Sequence, residues 1–224
     1  MNENNPLKIE VTADGSTTIL VTNLDEHYHS VKGALTESQH IYRDCAFLHR
    51  AAMPSNDRLR LLEVGFGTGL NAVVTAMVAN EKNPVHYITL EKFPLDNEII
   101  KNLNYDEQID NDLFKAIHAA EWNKPVEITP YFTLEKRECD YTTDILPSNI
   151  DVVYFDAFAP EKQPDMWTLE CFKKLVNVMN PNAVLTTYCA KGEIRRTLQA
   201  LNLTPERLAG PVGGKREILR ATKL

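Results

Sequence analysis

The sequence lacks paired cysteines, long apolar runs and a leader segment. Its cysteines are few and far apart, and no C-x-x-C pair supports a zinc ribbon or a thioredoxin-like site. No run approaches the ~18 apolar residues of a membrane helix. The first ten residues, MNENNPLKIE, contain neither a basic nor an apolar leader region. We therefore expect a reduced, cytoplasmic protein with no membrane partner and no metal site. The four cysteines are Cys45, Cys139, Cys171 and Cys189.

The composition is that of an ordinary globular protein. The 224 residues are 43% hydrophobic and 25% charged, which excludes collagen-like, low-complexity and wholly disordered chains. The length fits one large domain.

The charge is uneven along the chain. The formal net charge is −7, which is unfavourable for nonspecific binding to nucleic acid. Residues 190–224, however, contain eight basic and three acidic residues, a net charge of +5. Two interpretations stay open: a solvated helix face and strand, or a local contact with a polyanion.

Hydrophobic patterning predicts an α/β fold. Two β-prone runs within 7–24 flank Asp14-Gly15, a hairpin signal, and residues 34–53 have helical spacing. From residue 59 strands and helices alternate, which is typical of a parallel sheet with helices on both faces. The later predicted elements include a helix over 106–121, a third strand within Val126–Glu138, a buried strand Ile150–Phe155, a basic helix over 191–202 and a closing hairpin around Gly213-Gly214.

A glycine-rich turn follows the first strand of this alternating region. Residues 61–71 read LLEVGFGTGLN, so Gly65, Gly67 and Gly69 let the backbone turn tightly and approach a ligand. Leu70 stands where the dinucleotide fingerprint requires glycine. Glu91 ends the next predicted strand, where an acid can accept both ribose hydroxyls. Glycine loop plus strand-end acid indicates the S-adenosylmethionine site of class I methyltransferases; the alternatives are a tight turn without ligand and a surface acid.

Two further acids follow predicted strands. Asp140 lies in a short turn, either as the acceptor of an adenine amino group or as a turn-forming residue. Asp156 begins the loop DAFAPEKQPDMWT after a buried strand and is a candidate catalytic residue together with Phe158. There a carboxylate can orient an amine and take its proton. The alternatives are a loop anchor for Asp156 and core packing for Phe158.

Five segments in order resemble the methyltransferase domain of the bifunctional tRNA 5-methylaminomethyl-2-thiouridine biosynthesis proteins. They are HYHSVKGALTESQHIY at 27–42, GFGTGLN at 65–71, EKFPL at 91–95, DAFAPEKQPDMWT at 156–168 and GGKREIL at 213–219. In that MnmC-like family the domain is fused to an FAD-dependent oxidoreductase half, which this sequence does not contain, so we expect a stand-alone form. The family reads D-G-F-A-P where Ala157 stands here, which adds a methyl group beside the substrate.

The resemblance implies S-adenosylmethionine as cofactor and methyl transfer to the 5-aminomethyl group of wobble uridine 34 in tRNA. It also implies a class I methyltransferase fold: a Rossmann-like, mostly parallel seven-stranded sheet with an antiparallel C-terminal strand. We expect residues 1–57 to form a hairpin-and-helix extension and 58–224 the Rossmann-like domain. The implied cofactor-binding residues are Tyr28, Ser30, Gly33, Glu37, Glu63, Gly65, Gly67, Gly69, Asn71, Glu91, Asp140 and Asp156.

The expected partner is a tRNA anticodon stem-loop, whose unpaired bases can be splayed into a pocket. Basic residues of the C-terminal region would contact the phosphates; they are Lys191, Arg195, Arg196, Lys215 and Arg216. A separate enzyme would supply the aminomethyl precursor, and the sequence leaves the oligomeric state open. The alternatives are a small-molecule amine methyltransferase or aminopropyltransferase, an NAD-dependent oxidoreductase, and a non-catalytic binding module.

Overall fold

The computed structural model describes residues 6–54, 57–105 and 108–224. Its strands are β1 (Leu7–Val11), β2 (Thr17–Val21), β3 (Glu26–His27), β4 (Leu59–Val64), β5 (Val85–Glu91), β6 (Pro125–Thr129), β7 (Phe132–Glu138), β8 (Ile150–Phe155), β9 (Met179–Thr187), β10 (Leu203–Ala209) and β11 (Glu217–Lys223). Residues 1–5, residues 55–56 just before the predicted domain boundary, and residues 106–107 at the start of the helix predicted over 106–121 lie outside the described residues.

The helices alternate with these strands along most of the chain. The α-helices are α1 (Ala34–Glu37), α2 (His49–Ala51), α3 (Leu70–Ala76), α4 (Asn97–Ile100), α5 (Asn111–Ala119), α6 (Leu169–Val178) and α7 (Gly192–Ala200). A π-helical segment, Ser38–Leu48, joins α1 to α2, and a 3-10 turn, Pro164–Trp167, precedes α6. Among the described residues, no helix is long and apolar enough to cross a membrane.

The main sheet confirms the predicted α/β fold and corrects the number of strands. Its order is β10-β11-β9-β8-β4-β5-β7-β6, with β7, β5, β4, β8 and β9 parallel and β11 antiparallel to β9. The described residues thus form eight strands in this sheet, not the predicted seven. The predicted single strand within Val126–Glu138 is an antiparallel hairpin, β6 and β7, because the chain turns at Pro130, which has no N–H for a sheet ladder.

The N-terminal elements pack against this sheet. The hairpin predicted around Asp14-Gly15 is confirmed by the pairing of β1 with β2, and β3 extends it to three strands. The helix predicted over 34–53 is present, although its middle is π-helical. Its buried Ile41 and Tyr42 share one hydrophobic core with α3 and with the sheet. The boundary between residues 57 and 58 stays a prediction.

The topology brings three strand ends together. Strands β4, β5 and β8 are adjacent and parallel, so the residues after Val64, Leu90 and Phe155 meet at one edge of the sheet. In open α/β sheets, ligands bind at this edge. The glycine loop, Glu91 and Asp156 lie there.

Candidate active site

Two glycines of the loop lie so close to neighbouring residues that a side chain would not fit there. A Cβ atom on Gly65 would lie 2.9 Å from the backbone oxygen of Asp156, so only glycine lets the two loops meet. Gly67 has a φ of +50°, and a Cβ atom there would lie 2.8 Å from Cδ1 of Tyr28. The loop therefore presents bare backbone to the space between Tyr28 and the strand ends.

Glu91 is fixed opposite this loop. Its Oε2 accepts a hydrogen bond from the Gly67 N–H at 3.1 Å, and its Oε1 accepts one from the Phe93 N–H at 2.9 Å. A carboxylate oxygen has more than one lone-pair site, so both oxygens can still accept hydrogen bonds from a ligand.

A cavity opens between the glycine loop, Glu91 and the Asp156 loop. We call it the glycine-loop cavity; it is lined in part by Tyr28, Gly65, Gly67, Glu91, Phe93, Asp140, Asp156, Phe158 and Met166. The cavity is open to solvent, and it lies at the carboxyl ends of parallel strands, where open α/β folds bind ligands.

Asp140 lies on the wall of this cavity but is already engaged. Its Oδ2 accepts from Lys92 Nζ at 2.7 Å, and its Oδ1 accepts from the hydroxyl and backbone N–H of Thr142 at 2.6 and 2.9 Å. Hydrogen bonds from Lys92 and Thr142 lower the pKa of Asp140 to about 2. Asp140 thus both forms a turn and faces the cavity.

Glu63 and Asn71 lie behind the cavity wall. The Glu63 side chain is fully buried, and neither carboxylate oxygen has a hydrogen-bond partner among the described residues. Burial, with a smaller contribution from the charge of Asp156, raises the pKa of Glu63 to about 8, so it is mostly protonated at neutral pH. Asn71 instead donates its Nδ2 to Oδ2 of Asp156 at 2.8 Å.

Asp156 is held by two side chains at the end of β8. Besides Asn71, the hydroxyl of Tyr42 donates to its Oδ1 at 2.6 Å. Burial raises the pKa of Asp156 to about 7, although the Tyr42 hydrogen bond acts in the opposite direction. A carboxylate with this pKa can accept and release a proton near neutral pH.

A second cavity lies on the other side of Asp156. We call it the acidic cavity because Glu26, Glu37 and Asp156 line it. Its aromatic walls are Tyr28, Phe158 and Tyr188, and the rings of Tyr28 and Phe158 meet edge to face at 5.1 Å. Tyr28, Asp156 and Phe158 also line the glycine-loop cavity, so they form a shared wall.

Ser30 and Glu37 line the acidic cavity. Glu37 is buried; its Oε1 accepts from the Ser30 N–H at 3.1 Å, and its Oε2 accepts from Lys215 Nζ at 3.0 Å. This places both residues on the side of Asp156 away from the glycine loop. Their expected contact with the cofactor stays a prediction.

The predicted basic set is not one free patch. Lys215 lies inside the acidic cavity, and Lys191 forms an ion pair with Glu161. Arg195 faces Gln199 at 3.4 Å. Arg196 and Arg216 are exposed and have no ion pair within the described residues. Other basic residues nearby are paired too, Arg207 with Glu217 and Arg220 with Glu206.

Three supporting residues were not among the predicted site residues, although Tyr42 and Trp167 lie in segments that carry the resemblance. Tyr42 orients Asp156 from the π-helical segment, and Tyr188 donates its hydroxyl to the Ala157 carbonyl at 2.9 Å. Trp167 donates its indole N–H to the Phe158 carbonyl at 2.8 Å, so its packing also fixes the loop. Tyr42 is the last residue of the 27–42 segment, and its place in that segment is its main sequence signal.

Comparison with known proteins agrees with this geometry. Residues 117–224 match a family described as S-adenosyl-L-methionine-dependent methyltransferase. The bifunctional tRNA 5-methylaminomethyl-2-thiouridine biosynthesis protein MnmC of Pseudomonas syringae pv. tomato is 31% identical over 210 residues, covering 86% of this chain and 31% of that protein. MnmC of Pseudoalteromonas atlantica is 29% identical over 239 residues, covering 94% and 32%. The chain thus spans about a third of the length of the curated relatives it matches.

In sequence the chain is similar to the MnmC proteins and to this methyltransferase family, and it has the fold of MnmC2. Its cofactor is S-adenosylmethionine, and the fit is physical: a bare-backbone cradle with a fixed strand-end carboxylate suits a ribose-bearing ligand without pyrophosphate.

Solved structures show the same fold. The crystal structure of MnmC2 from Aquifex aeolicus has a TM-score of 0.79 at 23% identity, covering 98% of this chain and 71% of that chain. The spermidine synthase of Thermotoga maritima has a TM-score of 0.62 at 12% identity, covering 97% and 69%.

Proposed function

We propose that the MnmC-like domain transfers a methyl group from S-adenosylmethionine to the 5-aminomethyl group of the wobble uridine in tRNA. The observation that carries the proposal is Asp156, a carboxylate with a pKa of about 7 on the wall between two cavities. The names of the curated relatives, which describe synthesis of 5-methylaminomethyl-2-thiouridine in tRNA, support the choice of substrate.

The glycine-loop cavity is the proposed cofactor site. Gly65 and Gly67 would let the ligand approach the backbone, and Glu91 would accept its ribose hydroxyls. Asp140 would face the adenine, although Lys92 and Thr142 already occupy its oxygens. When bound, the cofactor supplies a methyl group on a positively charged sulfur.

The acidic cavity is the proposed amine site. An amine attacks only as the free base, so the site must remove a proton. Asp156 would orient the amine hydrogens and take the proton as nitrogen forms its new bond to the methyl carbon and the carbon–sulfur bond breaks. Tyr42 and Asn71 hold the carboxylate for this role, and the rings of Tyr28 and Phe158 meet in the wall between the two cavities.

The anticodon loop would deliver the uridine as a splayed base. Arg196 and Arg216 are exposed without an ion pair among the described residues and would contact phosphates, and Lys191 and Arg195 lie at the start of α7 and on it. The aminomethyl group would come from a separate enzyme or domain. The fold is shared with a spermidine synthase, and the three carboxyl groups of the acidic cavity would also suit a polyamine, so the transfer experiment below has to identify the substrate.

The proposal is tested by methyl transfer to tRNA whose wobble uridine carries the 5-aminomethyl group but not yet the methyl group. Wild type and Asp156→Asn would be incubated with radiolabelled S-adenosylmethionine and this tRNA, followed by nucleoside digestion. We expect label on the wobble 5-aminomethyluridine and a loss of roughly 10²–10⁴-fold in rate for Asp156→Asn. Both proteins should bind the cofactor with similar affinity in calorimetry.

Two outcomes would contradict the proposal. If wild type binds the cofactor but labels no tRNA, the substrate is wrong. If Asp156→Asn transfers methyl groups as fast as wild type, Asp156 is not the proton acceptor.

A further inference from the structure

The Lys215 ammonium lines the acidic cavity. Its Nζ lies 3.0 Å from Oε2 of Glu37 and 4.0 Å from the centre of the Tyr188 ring. The surrounding turn is closed by a hydrogen bond from the Gly210 N–H to the Arg216 carbonyl at 3.0 Å. These contacts direct the half-exposed Lys215 side chain toward the acidic cavity.

The partner of Lys215 is itself anchored. Glu37 is buried, and the Ser30 N–H fixes its other carboxylate oxygen. The positive charge of Lys215 acts on Asp156, since it lowers the pKa of that carboxyl against the larger effect of burial. A proton acceptor and a fixed proton donor thus face the same cavity.

A lysine ammonium has three N–H donors. Glu37 and the Tyr188 ring engage two directions, which leaves one donor for a ligand. The aromatic walls of the cavity suit a flat base, because bases stack on aromatic side chains. The remaining donor can therefore read an acceptor on the edge of such a base.

The edge of a 5-aminomethyl pyrimidine presents two neighbouring groups. The aminomethyl nitrogen has hydrogens to donate, and position 4 holds either a carbonyl oxygen in uracil or an amino group in cytosine. Asp156 matches the aminomethyl nitrogen. An ammonium matches the uracil oxygen and opposes the cytosine amino group, because two donors would then face each other.

We propose that Lys215 selects uracil over cytosine by donating a hydrogen bond to the oxygen at C4 of a base whose 5-aminomethyl group lies at Asp156. This inference rests on the proposed function, because it takes an aminomethylated pyrimidine as the substrate. It replaces the phosphate contact that the sequence predicts for Lys215 with a contact to the base.

The test compares two anticodon stem-loop RNAs that differ only at the wobble base, one with 5-aminomethyluridine and one with 5-aminomethylcytidine. The quantity measured is the ratio of their kcat/KM values. We expect wild type to prefer uridine about tenfold or more, Lys215→Met to bring the ratio close to one, and Lys215→Arg to keep most of the preference. The matched control is Arg216→Met, which removes the neighbouring charge and should lower both values equally.

Lys215→Met leaves Glu37 buried without its cation, so a second variant guards against misfolding. Glu37→Gln combined with Lys215→Met removes both charges and should also lose the preference while keeping the cooperative thermal unfolding of wild type. If either variant keeps the wild-type ratio, or lowers both kcat/KM values equally, Lys215 does not read the base. Equal use of both RNAs by wild type overturns this inference alone, whereas transfer to neither RNA overturns the proposed function.

Discussion

The two cavities on either side of Asp156 are built in different ways. The glycine-loop cavity is formed by backbone and by residues that directly follow strands β4 and β5, above all the loop from Gly65 to Gly69 and Glu91. The acidic cavity is formed by side chains from distant parts of the chain, such as Glu37 and Lys215, which are 178 residues apart.

This difference in construction corresponds to two different roles, cofactor binding and substrate recognition. Backbone geometry holds a ligand common to many methyltransferases, whereas side-chain chemistry distinguishes one substrate from another. Substitutions around the first cavity should therefore change cofactor affinity, and those around the second should change methyl transfer and specificity. Asp156 lines both cavities. Substitutions of the residues that hold it therefore test whether methyl transfer can change without a change in cofactor affinity.

Among substitutions that separate the two cavities, Gly67→Ala is expected to have the largest effect. The new methyl group would lie 2.8 Å from the Tyr28 ring, so the ring must move or the loop must shift. We expect S-adenosylmethionine to bind at least about tenfold more weakly, since clash and left-handed backbone strain of roughly 1–2 kcal/mol act together. Calorimetric titration measures this.

Gly213→Ala is the matched control. Gly213 has a similar positive φ of +76°, but a Cβ atom there meets nothing within 4 Å. It carries the strain without the clash and should leave cofactor affinity unchanged. Equal affinities for both variants would show that the glycine loop does not shape the cofactor site.

Tyr42→Phe should affect methyl transfer but not cofactor binding. The variant loses the 2.6 Å hydrogen bond that lowers the pKa of Asp156, so that pKa should rise further above its wild-type value of about 7. Because Asp156 accepts a proton only when ionised, the rate should fall several-fold near pH 6.5 and approach wild type near pH 9. A pH profile of kcat/KM checks this.

Tyr105→Phe serves as the control for this change. It also removes a buried tyrosine hydroxyl, one that donates to the Thr17 carbonyl at 3.0 Å and not to Asp156. Its pH profile should match wild type. If the Tyr42→Phe deficit is constant across the pH range, Tyr42 contributes packing and not control of the proton acceptor.

The same contrast explains what the sequence could predict. The glycine loop and Asp156 directly follow strands and Glu91 ends one, so local pattern indicates where they meet. Tyr42 and Lys215 reach the site only through tertiary packing, 114 residues from Asp156 in one case and 178 from Glu37 in the other. A single sequence holds no local sign of such pairs.

Charge was the least predictable feature. The +5 of residues 190–224 suggested a phosphate-binding surface, but ion pairs to Glu161, Glu37 and Glu206 engage part of it. Two of these partners lie before residue 190, so counting charges within the segment overestimates what is free. The prediction of strands within residues 126–138 failed for a similar reason. One continuous β-prone run contains both β6 and β7, and the sequence pattern did not show the turn between them.

Glu63→Gln should change how the stability of the protein depends on pH, because Glu63 is buried behind the glycine-loop cavity. The folded-state pKa of Glu63, about 8, is above its ordinary value of 4.5. Its contribution to stability is therefore full below about pH 4.5 and is lost as pH rises toward 8, by at most roughly 1.4 kcal/mol per pH unit. Urea unfolding at pH 6 and pH 8 should show wild type losing stability relative to the variant. Parallel changes in the two proteins would mean that Glu63 is already ionised behind the glycine-loop cavity.

The smallest effect concerns the exposed basic residues that tRNA phosphates would contact. Of the predicted basic set, Arg196 and Arg216 have no ion pair within the described residues, so each should release about one counterion on binding. Arg196→Met and Arg216→Met should each reduce the slope of log affinity against log salt by about 1, without changing the preference for uridine. Lys191→Met should change the slope less, because Glu161 already neutralises Lys191. Filter binding of an anticodon stem-loop over a salt series measures all three slopes. An equal reduction for Lys191→Met would show that this ion pair opens when RNA binds, and that the free basic surface is larger than the unbound protein displays.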